Sequence, residues 1–162
     1  GARTADYGGD AELAVRLLNE CVATEIVCVL LYKFHAIMAQ GISSDAVKKE
    51  FEAHAAEEQE HMEWLAERIN QLGGKPDLDP AHAASRAASE YVEGDDLVSM
   101  IKENLVAERI AIETYRDLVR HFAETDPTTR ALLEKILAKE EEHANDMHDL
   151  LVAHEGKPML AK

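Results

Sequence analysis

The sequence predicts an all-α fold: an antiparallel four-helix bundle with one long connection between its second and third helices. Three observations predict it. The composition is helix-forming, rich in Ala, Leu and Glu, with only four Pro and eight Gly in 162 residues. Four long segments carry apolar residues at three- and four-residue spacing, the period of a helix with one inward face. The segments also repeat each other. Glu25, Tyr32, Glu58 and His61 in the first half match Glu108, Tyr115, Glu140 and His143 in the second. Glu and Tyr are seven apart in both halves, and the lone Glu precedes the paired Glu by 33 residues in one and 32 in the other.

Residues 1–9 are small, polar and Gly-rich and read as a frayed start. The first helix is predicted from the N-cap Asp10 to about Gln40, stopped by Gly41. The second follows Ser43-Ser44-Asp45 over about 45–72 and ends at Gly73-Gly74 with Pro76 beyond. Residues 74–94 form the long connection, with room for a short helix in the Ala/Ser-rich stretch 81–92. The third helix is predicted over about 95–123. The fourth, about 127–154, is initiated by Thr125-Asp126-Pro127 with Pro in its first turn. Short loops make helices one and two, and three and four, antiparallel neighbours. The connection of about twenty residues is long enough to travel the bundle and set the halves about a pseudo-twofold. Residues 1–162 read as one domain.

The predicted inward stripes are Leu17, Cys21, Glu25, Cys28, Tyr32 and His35; Phe51, His54, Glu58, His61, Leu65, Ile69 and Leu72; Ile101, Leu105, Glu108, Ile112, Tyr115 and Val119; and Leu133, Leu137, Glu140, His143, Met147 and Leu151. Each is apolar at its ends and polar in its middle. Four carboxylates in one core require compensating positive charge. Two divalent cations balance them formally. One Glu from each of two helices and Glu-x-x-His from each of the other two is the ligand set of a carboxylate-bridged two-metal site.

A single Glu-x-x-His on a Glu-rich helix is ordinarily a solvated face. Two copies, each preceded at matching distance by an inward Glu and Tyr, are not. Glu57, Glu60, Glu141 and Glu142 read as solvated or cavity-facing. Tyr32 and Tyr115 read either as core aromatics or as hydrogen-bond donors to carboxylates of the opposite half. His35 and His54 lie outside the repeat. His54 reads as a satisfied core histidine or a cavity-side accessory site rather than a primary ligand. Cys21 and Cys28 read as small buried apolar residues, reduced as in a cytoplasm; seven helical residues rise ~10.5 Å, too far for a disulfide. Trp64 reads as a packing residue.

The net charge of −15, from 32 acidic and 17 basic residues, argues for cations and against nucleic acid. No apolar run is expected to reach membrane-spanning length, and no secretory signal is read.

The chain resembles the ferritin-like superfamily, nearest to bacterioferritins and their Dps-like relatives, over residues 10–154. The resemblance rests on Thr24-Glu25-Ile26 through Tyr32 and His35, Glu58-Gln59-Glu60-His61, Leu72-Gly73-Gly74, and Ile136 to His143. It implies a ferritin-like bundle with Glu25, Glu58, His61, Glu108, Glu140 and His143 as ferroxidase ligands to two iron ions, manganese being the other candidate. Glu58 and Glu140 would bridge, His61 and His143 would each cap one iron, and Glu25 and Glu108 would be terminal. Departures refine the expectation. Bacterioferritins bind haem through a Met after the second-helix Glu; Gln59 stands there, so no haem is expected. About eight residues follow His154, too few for the fifth helix of 24-subunit shells, which favours a dodecamer. The full ligand set within one chain differs from Dps sites between subunits. Some Dps-like relatives pair cysteines in later helices, which Cys21 and Cys28 do not match. Rubrerythrins carry a Glu where Ala111 stands, and a Cys-rich domain. The implied function is cytoplasmic iron oxidation by O2 or H2O2 with mineral storage. A non-storing di-iron or di-manganese peroxidase or catalase is the alternative, and DNA compaction a weaker one.

Overall fold

The computed structural model describes residues 1–155, so the expectation drawn from the tail, including Gly156 and Pro158, lies outside the described residues. Five helices and no strand occur among them: α1 (Ala11–Met38), α2 (Ser44–Gln71), α3 (Pro80–Arg86), α4 (Leu97–Phe122) and α5 (Pro127–Glu155). The all-α four-helix bundle is therefore present, with α3 the short helix of the crossover.

Local chemistry sets the boundaries. Asp10 caps α1 by accepting from Leu13 N, and Asp96 with Ser99 forms a reciprocal capping box at α4. Pro127 opens α5, where its missing N–H costs nothing. Gly73, at φ +86°, ends α2 in the left-handed region, and Gly73 N and Gly74 N close the last turn onto Asn70 O and Ile69 O. α1 stops at Met38, short of Gln40, because the chain turns extended at Ala39.

The close helix pairs are α1–α2 and α4–α5; the two hairpins meet along α1–α4 and α2–α5. Residue 25 faces 115 and residue 32 faces 108, so α1 and α4 run antiparallel. The crossover is stitched to α1 and α4. Ala88 N donates to Thr24 Oγ1, Ser89 Oγ to Ala107 O, and Asn19 Nδ2 to Lys75 O. His35 is satisfied by the Glu93 carbonyl and Asn104. The first residues are anchored rather than frayed: Tyr7 OH donates to Asp126 Oδ2 at 2.7 Å, and Ala2 N to Gln71 O.

Two apolar clusters fill the ends of the bundle. One gathers Leu18, Cys21, Leu65, Ile69, Tyr115, Phe122, Leu133 and Ile136. The other gathers Tyr32, Val47, Phe51, Ile101, Leu105, Met147 and Leu151. The predicted stripes need adjusting at their edges. Leu18 and Ile136 are fully buried, whereas Leu17 and Leu137 are only half-buried. α1 packs against α2, α3 and α4, and α5 against α4 and α2, which widens the buried arc of each by one position.

One expectation is overturned. α1 is long and apolar enough to cross a membrane, with an 18-residue window of mean hydropathy 1.7. The physical reason is that α1 is covered on two sides, by the bundle and by the crossover, so it is apolar nearly all round. Of that window 67% is buried inside the protein.

Candidate metal centre

Between the two apolar clusters lies a polar layer contributed by four helices. Glu25 comes from α1, Glu58 and His61 from α2, Glu108 from α4, and Glu140 and His143 from α5. All six are at most 2% exposed. Their donor atoms form two groups, Glu25/Glu58/His61/Glu140 and Glu58/Glu108/Glu140/His143, each within 4.8 Å. The groups share Glu58 and Glu140. His61 Nδ1 lies 2.8 Å from Glu140 Oε1 and 3.9 Å from Glu25 Oε2. His143 Nδ1 lies 2.9 Å from Glu58 Oε1 and 3.2 Å from Glu108 Oε1.

The tyrosines bind across the halves. Tyr32 OH donates to Glu108 Oε1 at 2.7 Å, and Tyr115 OH to Glu25 Oε1 at 2.5 Å. The remaining donor atoms are orphaned. Glu25 Oε2, both oxygens of Glu58 and Glu140, Glu108 Oε2 and His61 Nδ1 are buried without a hydrogen-bond partner. Elsewhere among the described residues only Asn104 Oδ1 and Arg130 Nε share that condition. Buried polar atoms are almost always paired. Concentrated orphans of this kind, all oxygen or imidazole donors, fit divalent metal ions of the iron and manganese class.

A sequence profile of the Ferritin family, described as a ferritin-like domain, matches residues 15–155. The chain belongs to the ferritin-like family. Its relatives include the DNA protection during starvation protein of Pyrococcus furiosus, 31% identical over 154 residues covering 93% of this chain and 82% of the relative. The bacterioferritin of Mycobacterium tuberculosis is 29% identical over 136 residues, covering 83% and 80%. Among solved structures, the dodecameric thioferritin of Bacteroides fragilis, a bacterioferritin-related protein, superposes with a TM-score of 0.87 at 33% identity, covering 90% of this chain and 88% of that one.

The ferritin-like halves are not electrostatically equivalent. Position 57, four residues before His61, is Glu; the matching position before His143 is Lys139. Glu57 Oε2 lies 2.7 Å from His143 Nε2, and Lys139 Nζ lies 3.7 Å from the same oxygen. By sequence alone Glu57 reads as solvated or cavity-facing. Its opposite charge to Lys139 at matched register was the available signal.

The two halves of the centre hold protons differently. Burial pulls His143 down, but the hydrogen bonds it donates to Glu108 and Glu57, and their charge, outweigh it and hold the imidazolium to about 9. Burial, then the charge of His143, pulls His61 down to about 4. Burial pushes Glu108 up, but hydrogen bonds from His143 and Tyr32 and the charge of His143 outweigh it and hold it at about 2. Its counterpart Glu25 is raised by burial to about 7. Burial first, then neighbouring carboxylates, push Glu58 and Glu140 well above the usual range. Without a cation the centre holds protons instead.

Tyr32→Phe and Tyr115→Phe should each weaken zinc binding by roughly 10-fold, the lower end for loss of a partner that orients a ligand. Competitive titration against a chromophoric chelator measures this. Unchanged affinity in both variants would make the tyrosines packing residues only. Cys21 and Cys28 are buried free thiols, pushed up by burial, and touch none of the donors by hydrogen bond among those described.

Proposed function

We propose that this chain is a ferroxidase and iron-storage protein. Two Fe(II) ions, as substrate, bind the six residues, with Glu58 and Glu140 bridging. Glu25 and His61 complete one position, Glu108 and His143 the other. The observation that carries the reading is the sharing of two orphaned carboxylates by two donor groups. Each Fe(II) gives one electron. H2O2 takes two electrons and two protons to become two waters, or O2 takes them to become H2O2. Bridging carboxylates hold the metals together while their charge rises, and the tyrosines fix Glu25 and Glu108 in place.

The chain is read as a single domain that assembles into a closed cytoplasmic dodecamer, storing Fe(III) inside. The dodecameric Bacteroides relative supports the shell. Leu78 and Tyr91, 52% and 46% exposed, and half-buried Trp64 are candidate contacts across a twofold. Gln59 in place of a haem-ligating Met leaves haem out of the reading, and the net charge of −15 leaves DNA out.

Aerobic addition of Fe(II), followed by size exclusion with light scattering and iron analysis, tests it. The expected particle has about twelve times the 18.0 kDa chain mass and retains many iron ions per chain. A dimer that consumes peroxide without retaining iron would replace this reading with a non-storing oxidoreductase.

A further inference from the structure

The six ligands repeat between the halves, but the layer beside them does not. Glu50 and His54 precede His61 by eleven and seven residues, and Asp146 follows His143 by three. At the equivalent positions stand Leu132 and Ile136 before His143, and Trp64 after His61. Those three belong to one apolar cluster, with Lys135 Nζ over the Trp64 ring at 4.1 Å. The bundle therefore closes one side with ordinary apolar packing. Nothing in its pseudo-symmetry requires Glu, His and Asp on the other.

The geometry of that trio is specific. His54 is 2% exposed, and its Nε2 lies 3.2 Å from Asp146 Oδ2 and 3.3 Å from Glu50 Oε2. Its Nδ1 lies 3.2 Å from Tyr32 OH. Tyr32 has one hydroxyl proton, already given to Glu108 at 2.7 Å, so toward His54 it accepts and Nδ1 carries hydrogen. A neutral His54 then turns the lone pair of Nε2 toward two carboxylates, all three donors within 4.8 Å of one another. Lone pairs converging in this way lack only a cation. The carboxylate side chains are 43% and 35% exposed, which leaves water free to complete the coordination.

We propose that Glu50, His54 and Asp146 form a third site for a divalent cation of the Fe(II), Mn(II) or Zn(II) class. Its donors are none of the six ligands above, so it stands whether or not the buried pair is a ferroxidase. The His54 ring stacks on His143, centroids 4.0 Å apart and 20° between planes. The site is thus one imidazole away from the buried centre, on its solvent side. The competing occupant of the same gap is a proton on Nε2.

Crystals of the chelator-stripped protein soaked in Zn(II), with data at the zinc edge, decide between them. The expected map has a peak about 2.1 Å from His54 Nε2, a zinc–imidazole distance. Glu50→Gln combined with Asp146→Asn should remove that peak alone and lower solution zinc stoichiometry from three to two per chain. Glu58→Ala combined with Glu140→Ala should empty the buried positions and leave the His54 peak, which separates failure of this site from failure of the dinuclear reading. Wild-type crystals at saturating Zn(II) with no peak at His54, or a Glu50/Asp146 variant that keeps it, would overturn the proposal.

Discussion

Glu58→Ala and Glu140→Ala are each expected to lower the initial rate of Fe(II) oxidation by more than about 100-fold, since loss of even an orienting partner costs 10–100-fold at metal sites. Each residue belongs to both donor groups, so one substitution strips ligands from two positions at once. Neither variant should lose stability in the metal-free state. The removed carboxyl is fully buried, orphaned at both oxygens and crowded by other acids. A buried acid without partners opposes folding, so alanine there removes a penalty along with some packing. Stopped-flow oxidation read beside particle mass tests both halves of the expectation. Oxidation at the wild-type rate in both variants would refute the bridging assignment.

The second large effect is on stability. The metal-free protein should lose stability as pH rises from about 6.5 to about 9, and bound metal should reverse that trend. His143 is raised from 6.5 to about 9, so its contribution is complete below 6.5 and lost as pH climbs through 9. Glu58 and Glu140 are raised from 4.5 and act in the same direction, losing their contribution as they ionise. The opposing groups are silent there: His61, lowered to about 4, changes stability only below 6.5, and Glu108, lowered to about 2, only below 4.5. Metal needs the deprotonated donors, so its affinity rises over the same range. At a free Zn(II) concentration 100 times Kd, each site adds about 2.7 kcal/mol. At ~2–4 °C per kcal/mol for a chain of this size, that is a rise in Tm of roughly 5–11 °C per site. Thermal melts across this pH range with chelator or with zinc measure it. A metal-free Tm that climbs steadily from pH 6.5 to 9 would show that the centre does not hold protons in place of cations.

The fold was legible because its determinants are periodic. The stripes through Leu65, Ile69 and Met147, the cap at Asp10 and the proline at 127 are local signals read within a few residues. Chain repetition made Glu25, Glu58, His61, Glu108, Glu140 and His143 stand out before any geometry was known. What was not legible breaks the repeat. Glu57 looks like one more surface acid until α5 brings His143 beside it, 86 residues away. Asp146 likewise acquires meaning only when α2 sets His54 opposite, 92 residues away. Tyr7 is anchored by Asp126, 119 residues on, a contact no local pattern announces. Burial of α1 on two sides was also hidden, because the crossover that covers it has no strong period of its own.

The donor contacts Tyr32–Glu108, Tyr115–Glu25, His61–Glu140 and His143–Glu58 all run from one hairpin to the other. One hairpin alone therefore holds half of the buried donor cluster and a tyrosine with no acceptor. Two identical hairpins would supply the whole set, but a symmetric pair would be obliged to give both halves of the centre the same neighbours. Joining unlike hairpins in a single polypeptide lifts that obligation. Glu57 faces Lys139, and His54 matches Ile136, so each half surrounds the shared carboxylates with different charge and polarity.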